Sequence, residues 1–512
     1  MKISNLNIPF SKITPYLILL IIGFILRLIW NPHQIIWSFD QARDAYFMRA
    51  MVENKDLILL GPQTEEYGLF HGPLYYYLFA PFYSLSKGEP WLPLIIMSVL
   101  NLLSAIPLAL ISIKITKSKI AGIFTFAIFC LSYAFSEYSR WLSNVSITLP
   151  FIAWSYYLFY EILEKERTKI TFFLLGLLLG LATQGEIFFL SLIGIFFLTL
   201  ILRKTKIAKL IFYLIGSMVG LLPIIMAQFK FNFMGIKILG EIVSGGVGKI
   251  QTGMLNSLIG YFDHVGLTFF QTIGGGIVLM GTIFFLLFLI LAARKINRVW
   301  LIAVLLGHGV LFAFNYIDVV FLDIGFALFL VVLTGVAGFR LLKINRILFA
   351  IGALVFILFQ FGLYKSYLVG RMPFGGFNFI HPGGGSTLSD YDDIATKMYE
   401  ISGGKEFSIS VIGTPFGVRT VWASVFEFYA RKHNLPVPKW FEYYANGYPG
   451  DDLLVPTKIP GSTHFLVMES NIENLLASPI ITRELGNQDN NTKKVSEFTL
   501  HGASIQVRKP IK

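Results

Sequence analysis

Four stretches of this 512-residue chain hold side chains whose types and spacing suit chemistry. The first reads Trp37-Ser-Phe-Asp40-Gln-Ala-Arg43-Asp44-Ala-Tyr-Phe-Met-Arg49. Asp40, Arg43 and Asp44 stand at i, i+3 and i+4, which predicts one shared face of a short amphipathic helix. A carboxylate there can take a proton from a hydroxyl. A nearby guanidinium can hold phosphate with two hydrogen bonds. The competing reading makes Asp40 a solvated helix face and Arg43/Asp44 a surface pair of little weight. The second stretch joins Leu60-Gly-Pro62 to Phe70-His71-Gly-Pro-Leu-Tyr75-Tyr-Tyr77. His71 can donate or titrate, or simply occupy a turn. Tyr75 and its neighbours suit an interfacial aromatic belt or the lining of a site. The third is Tyr138-Ser-Arg140-Trp-Leu-Ser-Asn144, where Arg140 is either a phosphate ligand or a snorkelling cation. The fourth is Gly176-Leu-Leu-Leu-Gly180-Leu-Ala-Thr-Gln184-Gly-Glu186. A carboxylate such as Glu186 between two apolar runs is functional or paired, unless it is a solvated turn.

Other polar residues read as structural. Arg27, near one end of the first apolar run, is expected to snorkel. His308 is expected to be a satisfied core histidine, and Asp318 and Asp323 an external turn and its flank. Cys130 is the single cysteine, which excludes an intramolecular disulfide and any multi-cysteine metal site. The scheme suggested by these residues needs no metal and no organic cofactor.

The elements that must position these groups follow from composition. Hydrophobic residues make up 55% of the chain and charged residues 14%. A soluble domain carries roughly 25% charge, so the chain is a multi-spanning membrane protein. Residues 1–370 hold 28 Lys and Arg against 16 Asp and Glu, while residues 371–512 hold 14 of each. The net charge of +12 therefore belongs to the apolar part. A nucleic-acid binder would gather it on one folded patch, so none is expected as a partner.

Runs long enough to cross a bilayer lie near 13–30, 91–113, 120–137, 146–162, 170–186, 187–202, 210–228, 267–292, 299–316, 319–339 and 346–366. Five short loops between them are basic, including Lys165/Arg167/Lys169 and Arg203/Lys204/Lys206/Lys209. With the N-terminus inside, all five fall on the cytoplasmic face in strict alternation. This predicts about eleven spans, a multi-pass protein of the cytoplasmic membrane, an external loop at 31–90, and an external segment after residue 366. The spanning module is 1–366, and 367–388 is a Gly-rich linker. Residues 389–512 read as a small α/β domain. Ser389 with Asp392 and Asp393 opens its first helix, which closes at Gly403-Gly404. Strands are expected at Phe407–Gly413 and His464–Glu469, with a terminal strand or hairpin over Phe498–Arg508.

Taken together, the Phe39-Asp40-Gln-Ala-Arg43-Asp44, Leu60-Gly-Pro62, His71-to-Tyr77, Arg140-to-Asn144 and Gly176-to-Gln184 strings resemble bacterial glycosyltransferases of the C superfold. The nearest branch is glycosyltransferase family 39, related to the dolichyl-phosphate-mannose protein mannosyltransferases and to the aminoarabinose transferase of lipid A. The likeness covers about the first 200 residues well. It implies an inverting enzyme that takes a sugar from a polyprenyl-phosphate carrier at the external face. Asp40 would be the catalytic base. Arg140, with His71 and Arg43, would hold the carrier phosphate. Asp44, Asn144, Glu186 and Tyr75 would line the site, and the lipid bilayer would hold the carrier tail. The acceptor, whether protein, lipid or glycan, stays open. The chain departs from the family in having Gln41 where many members follow the aspartate with a glutamate. Competing functions are a flippase or transporter of lipid-linked sugars, a membrane polysaccharide polymerase or ligase, and a non-enzymatic assembly protein. No internal repeat of the kind transporters show is present.

Overall fold

In a lipid phase a chain must satisfy its own backbone hydrogen bonds, so apolar runs fold as helices or closed barrels; here they are helices. The computed structural model describes residues 14–29, 35–64, 68–244, 254–274, 278–313, 323–368, 386–413, 415–441, 444–469 and 478–511. Its helices are α1 (Thr14–Leu28), α2 (Phe39–Glu53), α3 (Leu74–Leu85), α4 (Trp91–Leu102), α5 (Ala105–Thr116), α6 (Lys119–Leu131), α7 (Tyr133–Arg140), α8 (Thr148–Glu164), α9 (Lys169–Gly185), α10 (Leu190–Leu202) and α11 (Ile207–Gly220). They continue as α12 (Leu222–Lys230), α13 (Met234–Ser244), α14 (Met254–Thr272), α15 (Val278–Ala293), α16 (Arg298–Ala313), α17 (Ile324–Ile344), α18 (Arg346–Leu368), α19 (Leu388–Ser402), α20 (Thr420–His433) and α21 (Pro479–Asn491). Among the described residues three helical stretches are long and apolar enough to span unaided, the first of them Trp91–Thr116, and bent pairs bring the number to five. The bends are 52° between α6 and α7 and 64° between α11 and α12. Shorter apolar helices account for most of the remaining predicted runs. The predicted linker at 367–388 and Asp318 fall largely or wholly outside the described residues.

The chain packs as two compact units. One combines Met1–Trp30, Leu57–Leu78 and Pro93–Gly383; the other combines Asn31–Asp56, Phe79–Leu92 and Gly384–Lys512. The C-terminal part of the second unit begins at Gly384, inside the expected linker 367–388, and Asn31–Asp56 and Phe79–Leu92 of the expected spanning module group with it.

The helical unit is built around α17, whose residues Ile324 to Ala337 are all buried. A helix apolar on every side has no solvent face to present. α9 and α11 approach through glycines. A Cβ at Gly176 would lie 2.1 Å from the Tyr213 carbonyl oxygen, and one at Gly216 would lie 2.0 Å from that of Phe173. Such small-residue pairs at four-residue spacing let backbones touch where lipid offers no hydrophobic drive.

Several expectations are corrected in this unit. The run 267–292 is two helices, α14 and α15, separated after Gly274 with its φ of +124°. Asp263 and His264 lower the hydropathy of α14, which hid its first half. Asp323, at the start of α17, is not exposed: it is buried, accepts from Thr268 Oγ1 at 3.1 Å and meets His264 Nδ1 at 3.1 Å. Arg27 does not snorkel. It is fully buried, donating to Ser139 Oγ at 2.9 Å and to the carbonyls of Gly23 and Cys130 at 2.9 and 3.2 Å. A guanidinium so enclosed must find acceptors inside, and one of them, the Cys130 carbonyl, lies at the end of α6 beside its bend with α7. His308 is a core histidine, its Nε2 2.6 Å from the Tyr156 hydroxyl, which donates to the Gly325 carbonyl.

The other unit carries a six-stranded sheet in the order β3-β2-β1-β4-β6-β5. The strands are β1 (Ser408–Ile412), β2 (Lys439–Phe441), β3 (Pro456–Thr457), β4 (His464–Met468), β5 (Thr492–Leu500) and β6 (Ala503–Pro510). β1 to β4 pair in parallel, and β6 runs antiparallel to β4 and β5. β5 and β6 form a hairpin turned by His501 and Gly502, both at positive φ as a two-residue primed turn requires. α19 starts from Thr387, which caps the amide of Asp390, rather than from Ser389; it ends at Gly403 with φ +65°. At the sheet centre His464 is buried, with Nδ1 2.8 Å from Ser408 Oγ and Nε2 2.9 Å from Gln488 Oε1. Burial lowers its pKa from 6.5 to about 4.

Candidate active site

In the helical unit the motif pieces separated in sequence meet through the backbone. The Gly61 amide donates to the His71 carbonyl at 2.9 Å, and the His71 amide to the Pro62 carbonyl at 2.9 Å. The next residue, Gly72, donates to the Gln184 carbonyl at 2.8 Å. Glycine is required at both ends of this contact. A Cβ on Gly61 would fall 2.1 Å from the Gly72 oxygen, and one on Gly72 would fall 2.6 Å from the Gln184 side chain. Gln184 Nε2 donates to the Gly220 carbonyl at 2.6 Å, and Asn144 Nδ2 to the Gly185 carbonyl at 2.6 Å. Loop 60–72, the end of α9 and the turn after α7 are thereby held as one cluster.

Arg140 closes α7 and leads into this turn. It is buried and pairs with Glu137 one helical turn earlier; its guanidinium carbon stands 6.0 Å from the Tyr133 ring centre. A snorkelling side chain would be exposed at its tip, so that alternative is set aside. Glu137 went unnoticed in the sequence, although its i, i+3 spacing to Arg140 was a readable signal. Glu186 follows Gly185 directly and is buried, not a solvated turn residue. Tyr75 is fully buried beside Tyr76, their ring centres 5.9 Å apart. His71 is half-buried and borders a narrow cleft lined by Gln228 and Phe231 near the end of α12 and by Met234 of α13.

Asp40, Arg43 and Asp44 belong to the other unit. The chain enters α2 through Trp37, whose amide donates to the Ser386 carbonyl at 3.2 Å and whose indole donates to Ser424 Oγ at 2.8 Å. Further along, Arg49 grips both oxygens of Glu427 on α20 at 2.9 and 3.0 Å. Burial, with Glu427 beside it, pushes the Tyr46 hydroxyl above its ordinary range. On this support Asp40 lies in the first turn of α2, where the helix dipole favours a carboxylate. Its side chain is 64% exposed and meets Arg43 Nη1 at 2.8 Å. Arg43 also donates through Nε and Nη2 to Asp44 Oδ1 at 2.9 and 2.8 Å, and Asp44 is buried. The three residues do share a face, and Arg43 links the two carboxylates. Gln41, the departure from the family pattern, accepts from the Ser38 amide at 3.3 Å and so closes the start of α2. Among the described residues no group of three or more His, Cys, Asp or Glu could hold a metal ion.

Residues 70–227 match the sequence profile of the family described as dolichyl-phosphate-mannose-protein mannosyltransferase. No curated protein matches the chain by sequence. In fold the chain is similar to ArnT from Cupriavidus metallidurans bound to undecaprenyl phosphate. The TM-score is 0.59 and the identity 13%, over 98% of this chain and 98% of that one. The apo structure of the same protein gives a TM-score of 0.58 and 11% identity over 97% and 98%. The resemblance read from the motifs is thus upheld: residues 70–227 match the mannosyltransferase family, and the chain shares the fold of ArnT.

Proposed function

We propose that this protein is a membrane glycosyltransferase that moves a sugar from a polyprenyl-phosphate carrier to an acceptor hydroxyl on the external face. One observation carries the reading: the family match over residues 70–227 encloses His71, Arg140, Asn144 and Glu186, and Arg140 is a buried guanidinium at the edge of the hydrogen-bonded cluster. The undecaprenyl phosphate held by ArnT makes the same carrier chemistry the natural donor. The predicted topology, with an internal N-terminus and the α2 loop outside, belongs to the same proposal.

In the reaction, a carboxylate oxygen of Asp40 takes the proton of the acceptor hydroxyl. The hydroxyl oxygen attacks the anomeric carbon from the face opposite the phosphate, so configuration inverts. The bond from that carbon to the phosphate oxygen breaks, and its electron pair leaves with the polyprenyl phosphate. Arg140, assisted by His71 and Arg43, neutralises the charge that grows on the departing phosphate. Asp44 anchors Arg43, while Asn144, Glu186 and Tyr75 shape the pocket. Cationic side chains do the work a metal would otherwise do, so the scheme calls for no cofactor.

The test is full-length protein in liposomes with a panel of polyprenyl-phosphate sugars, beside Asp40→Asn. One donor should be consumed, and the variant should transfer about 10²–10⁴-fold more slowly with donor affinity retained. If every donor stays intact, or if the variant keeps pace with wild type, the mechanism is wrong.

A further inference from the structure

α8 and α9 form a hairpin whose one end holds the Asn144–Gly185 contact. Each is 17 residues long, which at the α-helical rise puts the connecting loop 165–168 about 25 Å from that contact. The loop between α10 and α11 reaches the same end, where Lys209 meets Glu166 at 2.9 Å. Between the two loops lies a cleft of about 250 Å³. Its polar lining is six cations, Lys165, Arg167, Arg203, Lys204, Lys206 and Lys209, with Thr205 and a single carboxylate, Glu166. Its floor is apolar, formed by Phe172, Leu163 and Leu200.

Part of this charge is already compensated. Lys209 is held between Glu166 and the Phe172 ring, 5.6 Å from its centre. Arg167 pairs with Glu161, a buried carboxylate that also takes Lys114. Among the described residues Lys165, Arg203 and Lys204 make no ion pair, and Lys206 reaches Glu166 only at 3.9 Å. A topology signal requires cations only to sit in loops. It does not require cations from two loops to converge over an apolar floor. Basic pockets between membrane helices suit phosphate-bearing head groups, and the floor suits the glycerol and first methylenes beneath such a group.

We propose that this cleft binds the phosphate-bearing head group of an anionic membrane lipid, at the end of the helical unit remote from the candidate active site. The shared chemistry is phosphate recognition by several cations, and a soluble phosphate or diphosphate is the other possible source.

The experiment uses the full chain in phosphatidylcholine nanodiscs titrated with cardiolipin. Bound lipid is counted by native mass spectrometry and melting temperature is followed in parallel. Lys204→Gln/Lys206→Gln is compared with Lys117→Gln/Lys119→Gln, which removes equal charge from the loop between α5 and α6. Cardiolipin should bind wild type and raise its melting temperature. At about 1 kcal/mol per basic residue, affinity should fall about 30-fold in the first variant and stay unchanged in the second. Should Lys204→Gln/Lys206→Gln not fold, Lys165→Gln/Arg203→Gln carries the same expectation. Equal losses in the two loops, or no loss in either, would overturn the proposal. A parallel titration with inorganic pyrophosphate should give no binding at matched concentration; binding as tight as that of cardiolipin would assign the cleft to a soluble anion and overturn the lipid reading.

Discussion

The two groups of candidate residues are assembled in opposite ways. The α2 set is local: Asp40, Arg43 and Asp44 meet because the i, i+3, i+4 spacing of a helix puts them side by side, and the Asp40 carboxylate is mostly exposed. The cluster beside Arg140 is non-local: Gly61, Pro62, His71 and Gly72, the turn after α7 and the end of α9 are joined by hydrogen bonds across long stretches of sequence, nearly all buried. An exposed group can be changed without harming the fold, so α2 can supply a proton acceptor that water and acceptor molecules reach. A buried guanidinium must be held by its surroundings, so changing Arg140 is expected to affect stability as well as any phosphate binding.

This difference can be broken or sharpened experimentally. Asp40→Asn has the largest expected effect on activity, a loss of about 10²–10⁴-fold, with an unchanged melting temperature. A melting shift of several degrees would place Asp40 among the structural residues instead. Arg140→Gln leaves the largely enclosed Glu137 without its partner and should cost about 3–5 kcal/mol, read by denaturation in detergent. The complementary Glu137→Gln removes a carboxylate from beside the cation. Polyprenyl phosphate should then stabilise it by more degrees than it stabilises wild type, and an equal or smaller gain would remove Arg140 from the phosphate site.

The sheet of the second unit gives a pH readout of the same principle. The folded pKa of His464, about 4, lies below its ordinary 6.5 because burial disfavours the cation. Unfolded chains therefore bind the proton first as pH falls. The stabilisation is complete above pH 6.5, is lost between 6.5 and about 4, and then levels off, amounting to about 3 kcal/mol. Acid unfolding of the sheet unit should lose this slope in His464→Gln; an unaltered slope would assign it to another group. The smallest effect is expected at Gln41→Ala, which opens the cap of α2 at a cost of about 1 kcal/mol. Gln41→Glu should restore the cap and leave stability near wild type, as thermal melts would show.

The strands at Ser408–Ile412 and His464–Met468 coincide with the runs expected from alternation and β-branched content. The β2 and β3 strands were not visible, because three and two residues are too short to carry a period. α14 was half hidden by Asp263 and His264; His264 meets Asp323, 59 positions along the chain. The pieces of the candidate site were legible as motifs, each with the right residue types. Their pairing was not, because the contacts from Gly72 to Gln184 and from Asn144 to Gly185 join segments with no common periodicity.

By itself the sequence determined what depends on neighbours a few positions away. That includes the apolar runs that must be helical in lipid, the basic loops between them, the shared face of Asp40, Arg43 and Asp44, and the glycines that mark close approach. Tertiary structure alone decided what depends on distant partners. It buried Arg27 against Ser139, gave Arg140 an enclosed setting, withdrew Glu186 from solvent and set α2 against α20. The division has a physical cause: helical geometry is fixed by short-range hydrogen bonds, whereas the fate of a buried charge depends on which acceptors the packed chain brings to it.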